Sequence, residues 1–211
     1  MTTETMTIHR GLCELKVLIS RINKVIDESN FCTATKASMR KLKGVPIEDF
    51  KKDSQSALDQ IKDLMARYDA IKRAISESNA KTTVEIAGKS YTVAEAIYMN
   101  QYGLDFKQRL YLHMSNEYSA AIKAIEKENA QLSDRADRYI ANTTSNKENM
   151  DPGSVTELRN DYIERETMVL IDGIGIKETM NGLAEEIDKF KSEVDSVLST
   201  SNATTTITIS Y

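Results

Sequence analysis

Three segments of the chain repeat one local pattern, in which an amphipathic run reaches Ser-Asn and then continues into threonines. They are residues 26–33, 75–83 and 198–206. Asparagine tolerates the left-handed backbone conformation that terminates a helix, and threonines favour extended backbone. Each segment is therefore predicted to close a helix and open a strand. This pattern places the chain in the α+β class, mostly helical, with a small β-sheet or hairpin at one end of an antiparallel or mixed helix bundle.

The composition restricts the class of partner. The 211 residues include 28 basic and 32 acidic side chains, for a net charge of −4. Both signs alternate along the predicted helices, so no nucleic-acid interface is expected. No apolar run reaches the ~18 to 20 residues that span a bilayer, so no stable membrane insertion is expected. The polar start, residues 1–5, does not resemble a secretory signal. The expected location is the cytoplasm of a bacterial cell or infected host, and virion association is compatible with it.

Apolar spacing predicts three helices of about six turns, each with one buried face. The face of the first helix consists of Ile8, Leu12, Leu15, Ile19, Ile22 and Ile26. The same spacing recurs from Leu58 to Ile75 and from Ile176 to Val197. A capping box at Thr92–Glu95 begins a fourth helix that is predicted to continue over about 93–140. This helix is roughly twice as long as its neighbours, so it must overhang them or break.

The distal half of the fourth helix keeps a single apolar stripe with spacings of four and three residues. The members of this 118–139 stripe are Tyr118, Ile122, Ile125, Asn129, Leu132, Ala136 and Tyr139. An asparagine in such a stripe fixes register and oligomeric state when an aligned partner satisfies its amide. One prediction is a homo-oligomer assembled through this stripe, with Asn129 buried against another helix. The alternative is cover within one chain by segment 154–165.

The strand predictions are less uniform. Residues 83–92 read as a hairpin around a glycine turn, and residues 204–211 alternate in polarity. Together with the weaker segment 31–36, they are expected to share one sheet. The short β-branched run 167–172 is also predicted to be a strand. Polar residues 141–154 are expected to form a mobile connection.

The remaining connections and the domain count follow from turn residues. Residues 40–54 are predicted to be a loop with a short helix after Pro46. With only two prolines in the chain, few boundaries are available. One domain, 1–211, is therefore expected.

The search for chemistry predicts a protein that is not an enzyme and has no cofactor. His9 and Cys13 are four residues apart on a helix, but a closed zinc site needs four ligands and only Cys32 and His113 remain. Cys13 and Cys32 flank a predicted helix end and are not expected to pair, as in a reducing compartment. Gly173-Ile174-Gly175 precedes a helix like an anion-binding turn, yet no phosphate-loop motif follows it, so a tight turn is predicted.

Three tyrosines suggest a different function. Tyr98, Tyr102 and Tyr111 follow the predicted hairpin and are spaced to line a pocket that stacks a nucleotide base. Packing in the core, with the hydroxyls at the surface, is the commoner role of such residues.

Two parts of the chain resemble the septicolysin-like family of small bacterial and phage proteins. One part runs from Leu64-Met65-Ala66-Arg67-Tyr68 through the Ser78-Asn79 segment and Gly88 to Thr92-Val93-Ala94-Glu95. The other runs from Leu183-Ala184-Glu185-Glu186 to Asn202-Ala203-Thr204-Thr205. The resemblance implies a fold more than an activity, because members are largely uncharacterised and their pore-forming name is a legacy label. This chain differs in its longer middle, residues 112–166.

Three functions are consistent with these features. The first is a non-enzymatic structural or interaction protein that self-assembles through helical stripes or sheet edges and binds a protein partner, with a phage origin compatible with the resemblance. The second is a binder that sequesters a nucleotide-type ligand. The third, taken from the family label, is an oligomeric lytic protein, although no helix combines a basic face with a strongly apolar one.

Overall fold

The computed structural model describes residues 2–144 and 151–211. The fold is mostly helical with two-stranded antiparallel sheets, as predicted. In chain order the elements are β1 Thr3–Thr7, α1 Ile8–Glu28, β2 Lys41–Leu42, β3 Val45–Pro46, α2 Ile47–Lys81, β4 Thr83–Ile86, β5 Lys89–Thr92, α3 Val93–Tyr98, a π-helical turn Met99–Gly103, α4 Asp105–Ala130, α5 Leu132–Thr144, α6 Pro152–Glu166, α7 Ile176–Thr204 and β6 Thr206–Ser210.

The chain forms two compact units. Unit 1 contains residues 1–102 and 189–211, and unit 2 contains residues 103–188. The expectation of a single domain over 1–211 stays a prediction.

Unit 1 is built on the pairing of the two ends of the chain. Strand β1 pairs antiparallel with β6, with Met6 opposite Ile207 and Glu4 opposite Ile209. Alternation in β6 turns Ile207 and Ile209 inward, where they join the core with side chains of α1 and α2. The Thr7 hydroxyl accepts a hydrogen bond from the Arg10 amide, so α1 begins directly after β1.

The predicted hairpin is also present in unit 1. Strands β4 and β5 pair through a two-residue turn in which Ala87 has φ 52° and Gly88 has φ 73°. Positive φ at both positions is the backbone of the turn type that matches the twist of a hairpin. The predicted capping box follows at once, because the Thr92 hydroxyl accepts from the Glu95 amide while the Glu95 carboxylate accepts from the Thr92 amide.

The prediction of one shared sheet is wrong. Residues 31–36 form no strand, β6 pairs with β1, and within residues 2–144 and 151–211 β4 pairs only with β5. The sequence did not indicate β1 because Thr3–Thr7 is polar except for Met6, its only buried residue. The Ser-Asn rule also fails in two cases, because α2 continues past Asn79 to Lys81 and α7 past Asn202 to Thr204.

The predicted helix over 93–140 is interrupted twice. A π-helical turn at Met99–Gly103 separates α3 from α4, and Gln131 separates α4 from α5. A wider turn at Met99–Gly103 changes which residues share a face, so the apolar spacing of the sequence does not fit one continuous helix. The loop predicted over 40–54 is likewise shorter, since α2 begins at Ile47.

The connection predicted over 141–154 is only partly described. Helix α5 continues to Thr144 and α6 starts at Pro152, with the Asp151 carboxylate capping its first turn. The mobility predicted for residues 145–150 lies outside the described residues. Residues 167–172, predicted to be a strand, pair with no strand among the described residues, although they contain no helix, turn or bend.

Candidate interaction surface

Helix α1 is apolar on two adjacent faces, and the chain covers one of them. Ile8, Leu15 and Leu18 are buried in the core of unit 1, and Gly11 is buried beside them. A Cβ at Gly11 would meet Ile71 at 3.3 Å, so α2 approaches closely there.

The second face of α1 is open. Leu12, Ile19 and Ile26 are exposed by 37%, 47% and 44%. They are seven residues apart, so they lie almost on one line of the helix. The expectation that all six apolar residues of this helix share one buried face is therefore wrong for these three, because the core face is rotated toward Gly11 and Leu18.

Helix α2 repeats this arrangement. Its buried residues are Ile61, Leu64, Ile71 and Ile75. Leu58 and Met65, again seven residues apart, are exposed by 37% and 49%. A second apolar line therefore flanks the core face of α2.

The two exposed lines lie on the same side of the α1–α2 pair. The helices are antiparallel, because Gly11 lies against Ile71 while the Ser54 hydroxyl donates to the Asn30 carbonyl at 2.7 Å. On each helix the exposed apolar line flanks one side of the core face, and Glu14 on α1 or Arg67 on α2 flanks the other side. The side chains of Glu14 and Arg67 form an ion pair. By helical geometry the other two flanks must then share the opposite side. We call Leu12, Ile19, Ile26, Leu58 and Met65 the open face.

Arg67 holds the β1–β6 side of this helix pair. Its guanidinium donates to Glu14 and to the Tyr211 hydroxyl, and its Nη2 lies 2.9 Å from a carboxylate oxygen of Glu4. It also lies 4.9 Å from the centroid of the Tyr211 ring, within cation–π range. The hydrogen bond to the Glu14 carboxylate, with that to Glu4, raises the pKa of Arg67. Ion pairs therefore hold the β1–β6 side of the helix pair, whereas the open face consists of apolar side chains.

The 118–139 stripe is partly covered within the chain. Helix α6 packs along α5, where Leu132 and Ala136 are buried. The Tyr139 ring stacks on Tyr162 with centroids 4.7 Å apart. Tyr118, Ile122 and Ile125 are half-buried. The stripe as an assembly surface stays a prediction, and α6 occupies the distal part that such an assembly would need.

Asn129, the polar member of the stripe, was expected to be buried against another helix, but its side chain pairs with the backbone of a non-helical segment. Its Nδ2 donates to the Met168 carbonyl at 2.9 Å, and its Oδ1 accepts from the Met168 amide at 2.9 Å. The side-chain amide therefore pairs with one backbone residue just as a neighbouring strand would. The sequence identified the unusual residue but gave no signal for this partner, which lies 39 positions away.

The three candidate pocket tyrosines are divided between the units. Tyr98 and Tyr102 are exposed and form a tilted ring pair with centroids 6.2 Å apart in unit 1. Tyr111 is half-buried in unit 2. The proposed nucleotide pocket stays a prediction, and an exposed ring pair lacks the convergent polar groups that fix a ligand.

The four candidate metal ligands, His9, Cys13, Cys32 and His113, are all exposed. The Cys13 sulfur and His9 Nε2 are 3.8 Å apart, and Cys32 is a free, exposed thiol. Over residues 2–144 and 151–211, no group of three or more His, Cys, Asp or Glu side chains is placed to hold a metal ion. The same ranges contain no helix with the length and apolarity needed to cross a membrane.

The glycine turn before α7 is capped by its own carboxylate. Asp172 accepts hydrogen bonds from the amides of Ile174 at 3.0 Å and Ile176 at 2.8 Å. These backbone hydrogen bonds, that from Ile174 first, lower the pKa of Asp172. The amides that an external anion would need are therefore already bonded to Asp172.

Comparison with family models, with curated proteins and with solved structures finds no match to this chain. The resemblance to the septicolysin-like family stays a prediction. Functional inference therefore rests on the surfaces described above.

Proposed function

We propose that this chain is a non-enzymatic structural protein that self-associates, and the open face is the observation that carries the proposal. Five large apolar side chains lie on one side of two antiparallel helices, each exposed by more than a third. Removing apolar surface from water yields roughly 25 cal/mol per Å², and contiguous apolar patches mark interaction sites. Among the described residues, none packs over these five side chains closely enough to bury them.

The same face of a second copy is a suitable partner. A layer of two antiparallel helices with seven-residue spacing packs on another such layer as a four-helix bundle. A two-fold axis through the face presents the same residues from both copies, which is the commonest symmetry of soluble homo-oligomers. Cytoplasmic location, a phage origin and virion association remain parts of this proposal, as does the resemblance to the septicolysin-like family.

The test replaces one residue of the open face and one exposed apolar residue elsewhere on the same helix. Ile19→Lys places a charge in the proposed contact. Val17→Lys is the matched control, because Val17 is also exposed but lies on a different face of α1. We expect Ile19→Lys to lower the molar mass measured by light scattering at matched concentrations, while Val17→Lys leaves it at the wild-type value. Circular dichroism confirms that both variants are folded.

Two outcomes would contradict the proposal. One is a wild-type protein whose mass stays that of a monomer across the concentration series. The other is an equal loss of mass in both variants, which would mean that added charge rather than the open face causes the change.

A further inference from the structure

We infer that residues 168–172 form a strand edge that pairs antiparallel with the same segment of a second copy, centred on Leu170. This contact deepens the self-association proposed above by adding a second surface, in unit 2, that does not use the open face. The inference takes from the proposed function only the identity of the partner, a second copy of the chain.

The 168–172 segment contains no helix, turn or bend and is held at both ends. Thr167, at the end of α6, has φ −63° and ψ 121°, and the residues after it show no turn or bend before Gly173. Asn129 binds both backbone groups of Met168, and the Asp172 carboxylate caps α7. A segment fixed in this way loses little conformational entropy when it pairs.

The segment presents apolar side chains to solvent. Val169 is exposed by 63% and Ile171 by 88%, whereas Met168 and Leu170 on the other face are exposed by 42% and 37%. All four side chains are exposed, and exposure alternates along the segment as it does on the two faces of a strand. The solvent face is unusually apolar for an unpaired segment.

One backbone edge of the segment is available for pairing. In a strand, the amide and carbonyl of successive residues point to opposite edges. The backbone amide and carbonyl of Met168 point toward Asn129, and those of Leu170 lie on the same edge. Val169 and Ile171 therefore point to the opposite edge, and the hydrogen bonds found among the described residues include none from their backbone groups. An unpaired edge with exposed apolar side chains is a template for strand addition.

Hydrogen bonding and charge select the register. Pairing about Leu170 sets Val169 opposite Ile171 of the partner twice, which gives four backbone hydrogen bonds. Pairing about Val169 would need the Thr167 amide, which already donates to the Ile163 carbonyl at 2.9 Å. It would also set Asp172 opposite Glu166 of the other copy, and like charges directly opposite each other are destabilising. Pairing about Ile171 would require Gly173, which lies in a bend.

The partner is a second copy because its edge matches this one in length as well as in pattern. Helix α6 ends the edge on one side and the turn at Gly173 ends it on the other. An identical antiparallel segment stops at the same points, so neither copy leaves an amide or carbonyl unpaired within the contact. A contact of five residues from each copy buries less surface than the roughly 1,200 Å² of a stable interface. The pairing is therefore expected to be weak and dependent on concentration.

Disulfide trapping tests the register directly. In a Cys13→Ser, Cys32→Ser background, Leu170→Cys places two thiols at a non-hydrogen-bonded pair, where Cα atoms are about 4.5 Å apart and a disulfide fits. Val169→Cys places them at a diagonal of about 7–8 Å, which is too far. Under mild oxidation we expect a covalent dimer from Leu170→Cys and little from Val169→Cys. Failure of both to cross-link, or a stronger yield from Val169→Cys, overturns the inference.

A proline pair tests the edge without cysteines and separates this inference from the proposed function. Both variants are made in the Ile19→Lys background, in which the open face is disabled. Val169→Pro removes an amide on the pairing edge, whereas Leu170→Pro removes one on the edge toward Asn129. We expect Val169→Pro to reduce the molar mass to that of a monomer and Leu170→Pro to preserve the dimer. An equal mass for the two proteins overturns the strand pairing and leaves the open face unaffected.

Discussion

Arg67 connects parts of the chain that are distant in sequence. It binds Glu4 of β1, Glu14 of α1 and Tyr211 at the end of the chain. Its side chain is 18% exposed, so water screens these ion pairs less than it does those on an open surface. One guanidinium with several donors can satisfy this set, whereas a lysine ammonium would not match its fixed geometry.

Replacing Arg67 should destabilise unit 1. Exposed ion pairs contribute about 0–1 kcal/mol and breaking a buried pair costs about 3–5 kcal/mol, so for this partly buried group we expect Arg67→Ala to cost about 2 kcal/mol. Urea unfolding followed by circular dichroism measures the change. Arg73→Ala, an exposed arginine on the same helix, is the control and should change the free energy of unfolding by less than about 0.5 kcal/mol. Equal costs for the two variants would contradict a stabilising role of the Arg67 ion pairs.

Residue identity alone does not reveal such a cluster. The sequence places Arg67 within the helix predicted from Leu58 to Ile75 but does not identify its partners. Its partners depend on the pairing of β1 with β6, whose paired residues Thr3 and Ser210 are 207 positions apart. Periodicity describes local structure and contains no information about which distant strands meet.

At the scale of elements, Asn129 shows how a helix can recognise backbone. Its side chain supplies the donor and acceptor that a neighbouring strand would otherwise offer to Met168. This contact connects the end of α4 to the segment after α6, both within unit 2. Segment 154–165 was the predicted intrachain cover of the 118–139 stripe, and Met168, just beyond that segment, also contacts the stripe at Asn129.

Asn129→Leu should lower stability. The substitution removes two hydrogen bonds, each worth about 1 kcal/mol net, while the exposed Met168 backbone can regain water, so we expect a loss of about 1–2 kcal/mol in the free energy of unfolding. Faster amide exchange at Met168 should accompany it. Asn116→Leu, on the exposed side of the same helix, corrects for the change in helix propensity. An Asn129→Leu protein as stable as the Asn116→Leu protein would contradict the structural role of this amide.

The elements themselves were predictable where local signals act alone. Helices α1, α2 and α7 follow from apolar spacing, and the β4–β5 hairpin follows from Gly88 and alternation. The break at Met99–Gly103 was not predictable, because a π-helical turn depends on packing around it rather than on a breaker residue. The strand predicted over 167–172 from β-branched composition is not formed among the described residues, where this segment has no partner strand and no helix, turn or bend.

The candidate interaction surface was only partly predictable for a similar reason. The sequence identified Leu12, Ile19 and Ile26 as apolar and regularly spaced, but it assigned them to the buried face. Two adjacent faces of α1 are apolar, and the spacing alone does not decide which of them the chain covers. The position of Gly11 against Ile71 decides it, since the missing side chain allows the close approach of α2.

At the scale of the whole molecule, the two proposed contacts belong to different units. The open face lies in unit 1 and the 168–172 segment in unit 2. Each contact is isologous, because the same residues of both copies face each other across a two-fold axis. A chain with one such contact stops at a dimer. A chain with two independent contacts adds copies alternately through one and then the other.

We therefore expect wild-type protein to form species larger than dimers as its concentration rises, measured by sedimentation velocity. Ile19→Lys should stop assembly at a dimer held by the strand pair, and Val169→Pro should stop it at a dimer held by the open face. The double variant should sediment as a monomer, because neither contact remains. If wild-type protein instead stops at a dimer that only one of the two substitutions dissociates, the other contact does not form, and alternating growth is excluded.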